Sequence, residues 1–194
     1  MSSIDAQLFR NTLLEEIRAA WRTLRERHST EHFYSFGFYT ASGAEYLMVT
    51  FSTEEGLSTA TEKYLARDGG DPTLMRTCLR WSVCDSPRHE EGMDLLPRSQ
   101  ALRDAGPDPY ECSTESEEAI TLVFDTAVDV LKALDSETIF GTEFERSRLI
   151  LGIWMGDQSD EDRIAFARLL NPPHLASRFA KELEEGYQAC RQLS

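Results

Sequence analysis

The sequence predicts a single α+β domain in which about five helices pack on a small, mostly antiparallel sheet. Three patterns predict it: amphipathic stretches at both ends of the chain, aromatic strands at 32–51, and a nearly all-apolar run at 148–155. A chain of 194 residues suits one domain. We therefore treat 1–194 as one unit with a long loop at 83–113 that contains prolines and glycines.

The first predicted helix covers residues 4–27. Leu13, Ile17 and Trp21 recur at four-residue spacing and define one apolar face. Neither glycine nor proline interrupts this stretch, so we expect one continuous helix.

Residues 32–51 predict a β-hairpin. Its strands are His32–Thr40 and Ala44–Phe51, with Gly43 in the turn between them. Because the first strand carries aromatic residues on both faces, we expect it to be covered on both sides or to line a cleft.

The remaining elements follow from capping residues and apolar periodicity. A second helix begins at 52–53, where Ser and Thr precede two acidic residues, and ends near Ala66. Residues 73–82 fit a strand or a short helix equally well. The apolar run Leu149–Met155 predicts a central strand that is buried on both faces. The other predicted helices span about 94–104, 114–134, 159–170 and 174–191.

The charge balance excludes several classes of function. The chain has 20 Lys and Arg against 34 Asp and Glu, a formal net charge of −14. Such a surface repels phosphate, so we expect binding neither to nucleic acid nor to anionic membranes. No stretch approaches the ~18 apolar residues of a membrane span, and the N-terminus does not resemble a secretory signal. We expect a soluble, cytoplasmic protein.

The cysteine spacing predicts neither a disulfide framework nor a metal site. Cys78, Cys84, Cys112 and Cys190 contain no CxxC pair, so we expect reduced thiols. Zinc at Cys78, Cys84 and His89 is disfavoured because the spacing is unusual and no fourth ligand follows nearby. We predict no metal and no cofactor.

The common catalytic motifs are missing from the sequence. It contains no GxxxxGK[ST], GxGxxG, GxSxG or HExxH. We therefore assign no catalytic residue, and an enzymatic activity is left open but disfavoured.

Five residues are candidates for contact with a ligand or partner. An arginine beside a tryptophan, as at Arg80 and Trp81, can stack on a ring or hold a carboxylate at two points. The alternative is that Trp81 is a core residue and Arg80 makes an internal ion pair. Asp157 follows the late apolar strand, and ligands often bind at the carboxyl ends of strands. Tyr39 and Glu54 complete the set.

Several fragments occur in a characteristic order: Tyr34–Thr40, Tyr46, Ser52–Glu55, Leu79–Ser82, Phe140–Thr142, Arg146, Trp154–Asp157 and Leu170–Pro172. Their order and spacing resemble the bacterial family named domain of unknown function 4303, over residues 10–180. One departure is Cys84–Ser86, where the family often carries a second tryptophan after Arg-Trp. No activity or catalytic residue is assigned to that family, so the resemblance implies no site.

The first functional hypothesis is a non-catalytic protein-binding module, immunity-like or regulatory, that uses an acidic surface. Acidic clusters at 111–118 and 157–162 would attract a basic protein partner. Small acidic proteins of this kind are reminiscent of bacterial immunity proteins, including the Smi1/Knr4-like group. The plainer alternative is that the charge only keeps the protein soluble.

The second hypothesis is a small-ligand-binding protein or an enzyme. Its pocket would lie between the hairpin, Arg80, Trp81 and the 83–113 loop. It requires a cavity larger than about 300 Å³ at that place. The sequence leaves the oligomeric state open.

Overall fold

A computed structural model describes residues 3–193 of the chain. The strands form one three-stranded sheet in the order β2-β1-β3, with helices against both of its faces. The strands are β1 (Phe33–Thr40), β2 (Met48–Thr53) and β3 (Ile150–Met155).

Residues 3–193 also contain eight α-helices, which is more than the predicted five or so. The ambiguous stretch 73–82 is mostly helical, as α3, and a one-turn helix precedes β3. The helices are α1 (Ala6–Arg27), α2 (Glu54–Asp68), α3 (Pro72–Leu79), α4 (Pro97–Asp104), α5 (Thr114–Ser136), α6 (Glu143–Arg146), α7 (Asp160–Leu170) and α8 (Pro173–Leu193).

The sheet is mixed rather than mostly antiparallel. β1 pairs with β2 as the predicted hairpin, with Tyr39 opposite Met48, but it runs parallel to β3. The central strand is therefore β1, and the prediction that 148–155 forms the central strand is wrong. The apolar pattern of β3 reflects helices on both faces, and burial of this kind does not show whether a strand lies at an edge.

β1 is buried on both faces, as its aromatic residues predicted. A bulge between Phe33 and Ser35 shifts the alternation of side chains. As a result Phe33 shares one core with Phe36 and Phe38, while Tyr34 lies in the other core. A strict two-residue alternation would place Phe33 and Phe36 on opposite faces of the sheet, and the bulge brings them to the same face.

Two hydrophobic cores flank the sheet. One fills the space between the sheet and the helices α1 and α5, around residues such as Trp21 and Phe36. The other lies under α2, α3, α7 and α8, around Trp81 and Phe179. Helices on both sides therefore leave the strand ends as the accessible part of the sheet.

The free edge of β3 is occupied by two side-chain amides. The Asn171 side chain accepts from the Leu151 amide at 2.9 Å and donates to the Leu151 carbonyl at 2.7 Å. The Gln158 side chain donates to the carbonyl of Ile153 at 3.2 Å and accepts from the amide of Met155 at 3.3 Å. These amides take the places that a neighbouring strand would occupy.

The expectation of four reduced cysteines is wrong. Cys78 and Cys190 form a disulfide between α3 and α8, across a sequence separation of 112 residues. Cys84 and Cys112 are free and exposed. A separation of that size leaves no local spacing pattern from which the pair could be predicted.

None of the helices within residues 3–193 is both long enough and apolar enough to cross a membrane.

Candidate functional site: an acidic cleft at the strand ends

A cavity of about 660 Å³ lies at the end of the sheet where β1 ends and β2 begins. Tyr39 of β1 lines it together with Tyr46, which precedes β2, and Met48, the first residue of β2. The opposite wall belongs to residues 89–104, the middle of the predicted loop. We call this cavity the strand-end cleft.

The wall formed by residues 89–104 is anchored to the sheet. Gly92 forms a bridge to Val49 of β2, and the His89 ring nitrogen Nδ1 lies 3.1 Å from the Thr50 hydroxyl. Gln100 of α4 accepts from the amide of Leu47 at 2.9 Å. This part of the predicted 83–113 loop is therefore a wall of the cleft that is bonded to the sheet.

Two further contacts fix α4. The carboxylate of Glu16, buried in α1, accepts the amides of Arg98 and Ser99 at 2.9 Å each, and so caps the first turn of α4. At the other end, the buried Arg103 donates to the carbonyls of Ala44 at 2.8 Å and Pro107 at 2.9 Å. Through Arg103, α4 thus connects the hairpin turn at Ala44 to the loop at Pro107, which follows α4.

The cleft carries negative charge and no cationic side chain. Glu90, Asp94 and Asp104 line it, and neither Lys nor Arg does. Among residues 3–193 these three carboxylates form no ion pair with a Lys or Arg. Burial lowers the pKa of His89, and the neighbouring carboxylate of Glu90 only partly opposes this. The imidazole is therefore neutral at pH 7 and does not offset the acidic residues.

Tyr39 lies at the centre of this end of the sheet. Its hydroxyl accepts from the Cys84 thiol at 3.4 Å, and its ring lies edge-on to His89 with a 4.5 Å centroid separation. The hydrogen bond with Cys84, burial and the carboxylate of Asp157 raise the pKa of Tyr39. Tyr39 therefore stays a neutral phenol at any physiological pH.

Apolar side chains are exposed along the same face. Tyr46 is 39% exposed, Met93 53% and Tyr110 78%. Tyr110 lies near enough to Tyr46 to contribute to raising the pKa of that phenol, after burial and Glu45. Tyrosine and methionine are enriched in protein interfaces relative to other surfaces, so this face has the composition of a contact surface.

A second acidic depression, of about 500 Å³, lies beside the loop that leaves α4. Its lining includes Glu111, Glu115 and Glu118, together with Ile4 and Leu122. The predicted acidic cluster 111–118 is thus a concave surface of its own, separate from the strand-end cleft.

The five predicted contact residues fall in two places. Tyr39 lies in the cleft and Asp157 next to it, at the ends of the two parallel strands. Glu54, Arg80 and Trp81 lie together under α2, α3 and α8, and they do not line the cleft.

Arg80 is held inside the protein. It donates to Glu54 at 2.9 and 3.2 Å and to Glu182 at 3.1 Å, and its guanidinium lies 4.5 Å from the Tyr34 ring centroid. Trp81 is buried edge-on against Phe179. These contacts match the alternative given for the sequence, in which Trp81 is a core residue and Arg80 makes an ion pair within the protein.

Sequence reasoning did not find most of the cleft. The sequence predicts Tyr46 only as a strand residue, Glu90 as part of the loop, and Asp94 and Asp104 as the ends of a short helix. The signal of the acidic residues is weak: three carboxylates spread over the segment that follows the hairpin. The contacts of Gly92 with Val49 and of α4 with the hairpin bring them to one cavity.

Among the described residues no group of three or more His, Cys, Asp and Glu is arranged to hold a metal ion. Cys78 is committed to the disulfide with Cys190, so it cannot join Cys84 and His89 around zinc.

Fold and site together define an α+β domain with an acidic, aromatic cleft at one end of its sheet. Residues 13–172 match the family described as "Domain of unknown function (DUF4303)". Because the match covers most of the chain, the chain belongs to this family. No curated protein and no solved structure matches the chain.

Proposed function

We propose that this protein is a non-catalytic binding module that docks a basic protein partner at the strand-end cleft. The observation that carries the proposal is a cavity of about 660 Å³ whose lining contains Glu90, Asp94 and Asp104 and no Lys or Arg.

The pairing of charges elsewhere supports this choice of site. In other parts of the chain carboxylates face arginines: Glu54 faces Arg80 at 2.9 Å, and Asp135 faces Arg146. The cleft carboxylates lack such partners within residues 3–193, so their charge is available to an incoming molecule. Opposite charge across an interface speeds association and disfavours wrong partners.

The exposed apolar residues supply the other half of an interface. Tyr46, Met93 and Tyr110 offer large contact areas next to the carboxylates. Burial of such side chains at the centre of an interface provides much of the binding free energy, and a charged rim provides selectivity.

The test begins with a photo-reactive amino acid placed at Met93 and, as a control, at Glu161 on α7. We expect crosslinking from position 93, in cells of the source organism, to a protein with a net positive charge, identified by mass spectrometry. The purified pair is then measured by calorimetry at several salt concentrations, because a charge-steered complex weakens as salt rises.

Charge-matched variants separate the cleft from the overall charge. The variant Glu90→Gln/Asp94→Asn/Asp104→Asn should weaken binding at least about tenfold. The control Asp125→Asn/Asp129→Asn, combined with Glu161→Gln, removes the same number of charges on α5 and α7 and should change affinity by less than about threefold. Equal losses in both variants, or a partner that crosslinks only from position 161, would contradict the proposal.

A small organic ligand is the second candidate. Its support is the size of the cavity, about 660 Å³, which falls in the range of small-molecule sites. The sequence hypothesis placed the cavity between the hairpin, Arg80, Trp81 and the 83–113 loop. The cleft lies beside the hairpin and that loop, but neither Arg80 nor Trp81 lines it. A small organic cation that raises the melting temperature of the wild type, but not that of the variant Tyr39→Phe/Asp94→Asn, would favour this candidate.

A further inference from the structure

We propose that the group bound in the strand-end cleft is a guanidinium, supplied by an arginine side chain of the partner, and that the cleft selects arginine over lysine. This inference rests on the proposed function and specifies the chemistry of the docking group.

The protein itself shows how its aromatic and acidic residues hold such a group. Arg80 lies 4.5 Å from the ring centroid of Tyr34 while two of its nitrogens donate to the Glu54 carboxylate. The ring takes the face of the guanidinium, and the carboxylate takes its edge. A planar guanidinium can stack on the ring and donate to the carboxylate from two nitrogens at once, whereas an ammonium donates from a single nitrogen and does not stack.

A similar arrangement occurs on the surface, at an arginine whose side chain is 62% exposed. Arg67 lies 4.4 Å from the ring centroid of Tyr64 and donates from Nε to Asp68 at 2.7 Å. The same pair of groups, a tyrosine ring and a carboxylate, therefore accompanies arginine in two separate parts of the chain.

The cleft contains the same groups without the cation. Tyr39 and Tyr46 supply rings with a 6.3 Å centroid separation, and Glu90, Asp94 and Asp104 supply carboxylates to the lining of the same cavity. Because the hydrogen bond with Cys84 and burial keep Tyr39 a neutral phenol, its ring is not itself a charged partner. An incoming arginine would complete the arrangement that Arg80 completes inside the fold.

The cavity is larger than one side chain requires. Its volume of about 660 Å³ accommodates the arginine together with neighbouring residues of the partner, and the exposed Met93 can pack against the aliphatic part of that side chain. The docking group is thus an arginine within a segment, not an isolated cation.

The experiment compares acetylated and amidated tetra-arginine with tetra-lysine, two peptides of equal charge. Affinities come from calorimetry, and the methyl signals of Met48 and Met93 in NMR spectra report occupancy of the cleft. We expect both methyl signals to shift and the arginine peptide to bind about five- to tenfold more tightly. In Tyr46→Leu this ratio should fall towards one.

The experiment has a control variant and two contrary outcomes that can be told apart. Tyr187→Leu removes an exposed tyrosine of α8 and should leave the ratio unchanged; thermal melting checks that both variants fold. Equal affinities of the two peptides at the cleft would overturn the arginine inference and leave the proposed function standing. If neither peptide moves the Met48 and Met93 signals, the cleft is not a cation site, and both proposals are contradicted.

Discussion

Arg103 donates from Nε to the carbonyl oxygen of Ala44 at 2.8 Å, and its guanidinium is bonded to carbonyls instead of carboxylates. Only 2% of this residue is exposed. A buried cation that is satisfied by backbone oxygens holds two loops in fixed relation, and this relation positions the wall of the cleft. Substitution of Arg103 therefore tests this arrangement directly.

Replacing Arg103 with Met should lower the free energy of unfolding by about 2–4 kcal/mol, because the carbonyls of Ala44 and Pro107 would remain buried without donors. Arg103→Lys should be destabilising too, since one ammonium cannot reach oxygens on both loops. Urea denaturation measures both values. The control Arg168→Met, at an exposed residue of α7, should stay within about 0.5 kcal/mol of the wild type. A loss below about 1 kcal/mol for Arg103→Met would contradict this role.

Thr138→Gly should stabilise the protein. Thr138 follows α5 with a φ of 57°, a left-handed conformation that β-branched residues disfavour and glycine adopts freely. The expected gain is about 1 kcal/mol, read from the melting temperature. Thr121→Gly within α5 should have the opposite sign, because glycine destabilises a helix interior. Equal losses in the two variants would show that the backbone at 138 is not strained.

Loss of the Cys78–Cys190 disulfide should destabilise the fold by about 2–4 kcal/mol, because the bond joins residues 112 apart and restricts the unfolded chain. Melting of the wild type with and without a reductant measures this effect, and Cys78→Ser/Cys190→Ser should match the reduced wild type. Cys84→Ser/Cys112→Ser, which removes the free thiols, should retain the response to the reductant. Unchanged melting on reduction would mean that the disulfide does not form.

Acid should weaken the ion pair between Glu54 and Arg80. Burial alone would raise the pKa of Glu54, but the hydrogen bond and charge of Arg80, together with Arg76, outweigh it and hold that pKa below its ordinary value. A lowered pKa in the folded state means that the stabilisation is present at neutral pH and is lost as the pH falls through the folded-state pKa. Glu54→Gln should thus be less stable than the wild type at pH 7.

The difference between Glu54→Gln and the wild type should begin to shrink as the pH falls below about 4.5, the ordinary pKa of the carboxyl in the unfolded chain, and should be lost as the pH falls through the lower folded-state pKa. Urea midpoints at several pH values measure it. Glu62→Gln, at an exposed residue of α2, is the matched control and should show no such trend. A difference that stays constant down to pH 2 would contradict the ion-pair explanation.

Local patterns predicted the elements of this fold well and their arrangement less well. The spacing of Leu13, Ile17 and Trp21 predicted α1 because helix burial repeats along the chain. The parallel pairing of β1 with β3 left no such local signal, because it depends on contacts between residues more than 100 positions apart. The sheet order was wrong for that reason.

The same reasoning explains the candidate site. Asp157 was predicted because it follows an apolar strand, and the structure places it near Tyr39, at the ends of the parallel strands β1 and β3. Arg80 and Trp81 were predicted because a guanidinium and a ring can hold a ligand. In the structure the guanidinium binds Glu54 and the ring packs against Phe179. Asp94 gained its place only through the contacts that anchor α4, which a sequence pattern does not show.

The side-chain amides of Asn171 and Gln158 bind backbone groups of Leu151, Ile153 and Met155 on the free edge of β3. These bonds oppose the addition of a strand from a visiting chain at that edge. Under the proposed function, recognition would then depend on side chains presented by a constant scaffold. Exchanging a few residues around the cleft would in that case redirect the protein to a different partner.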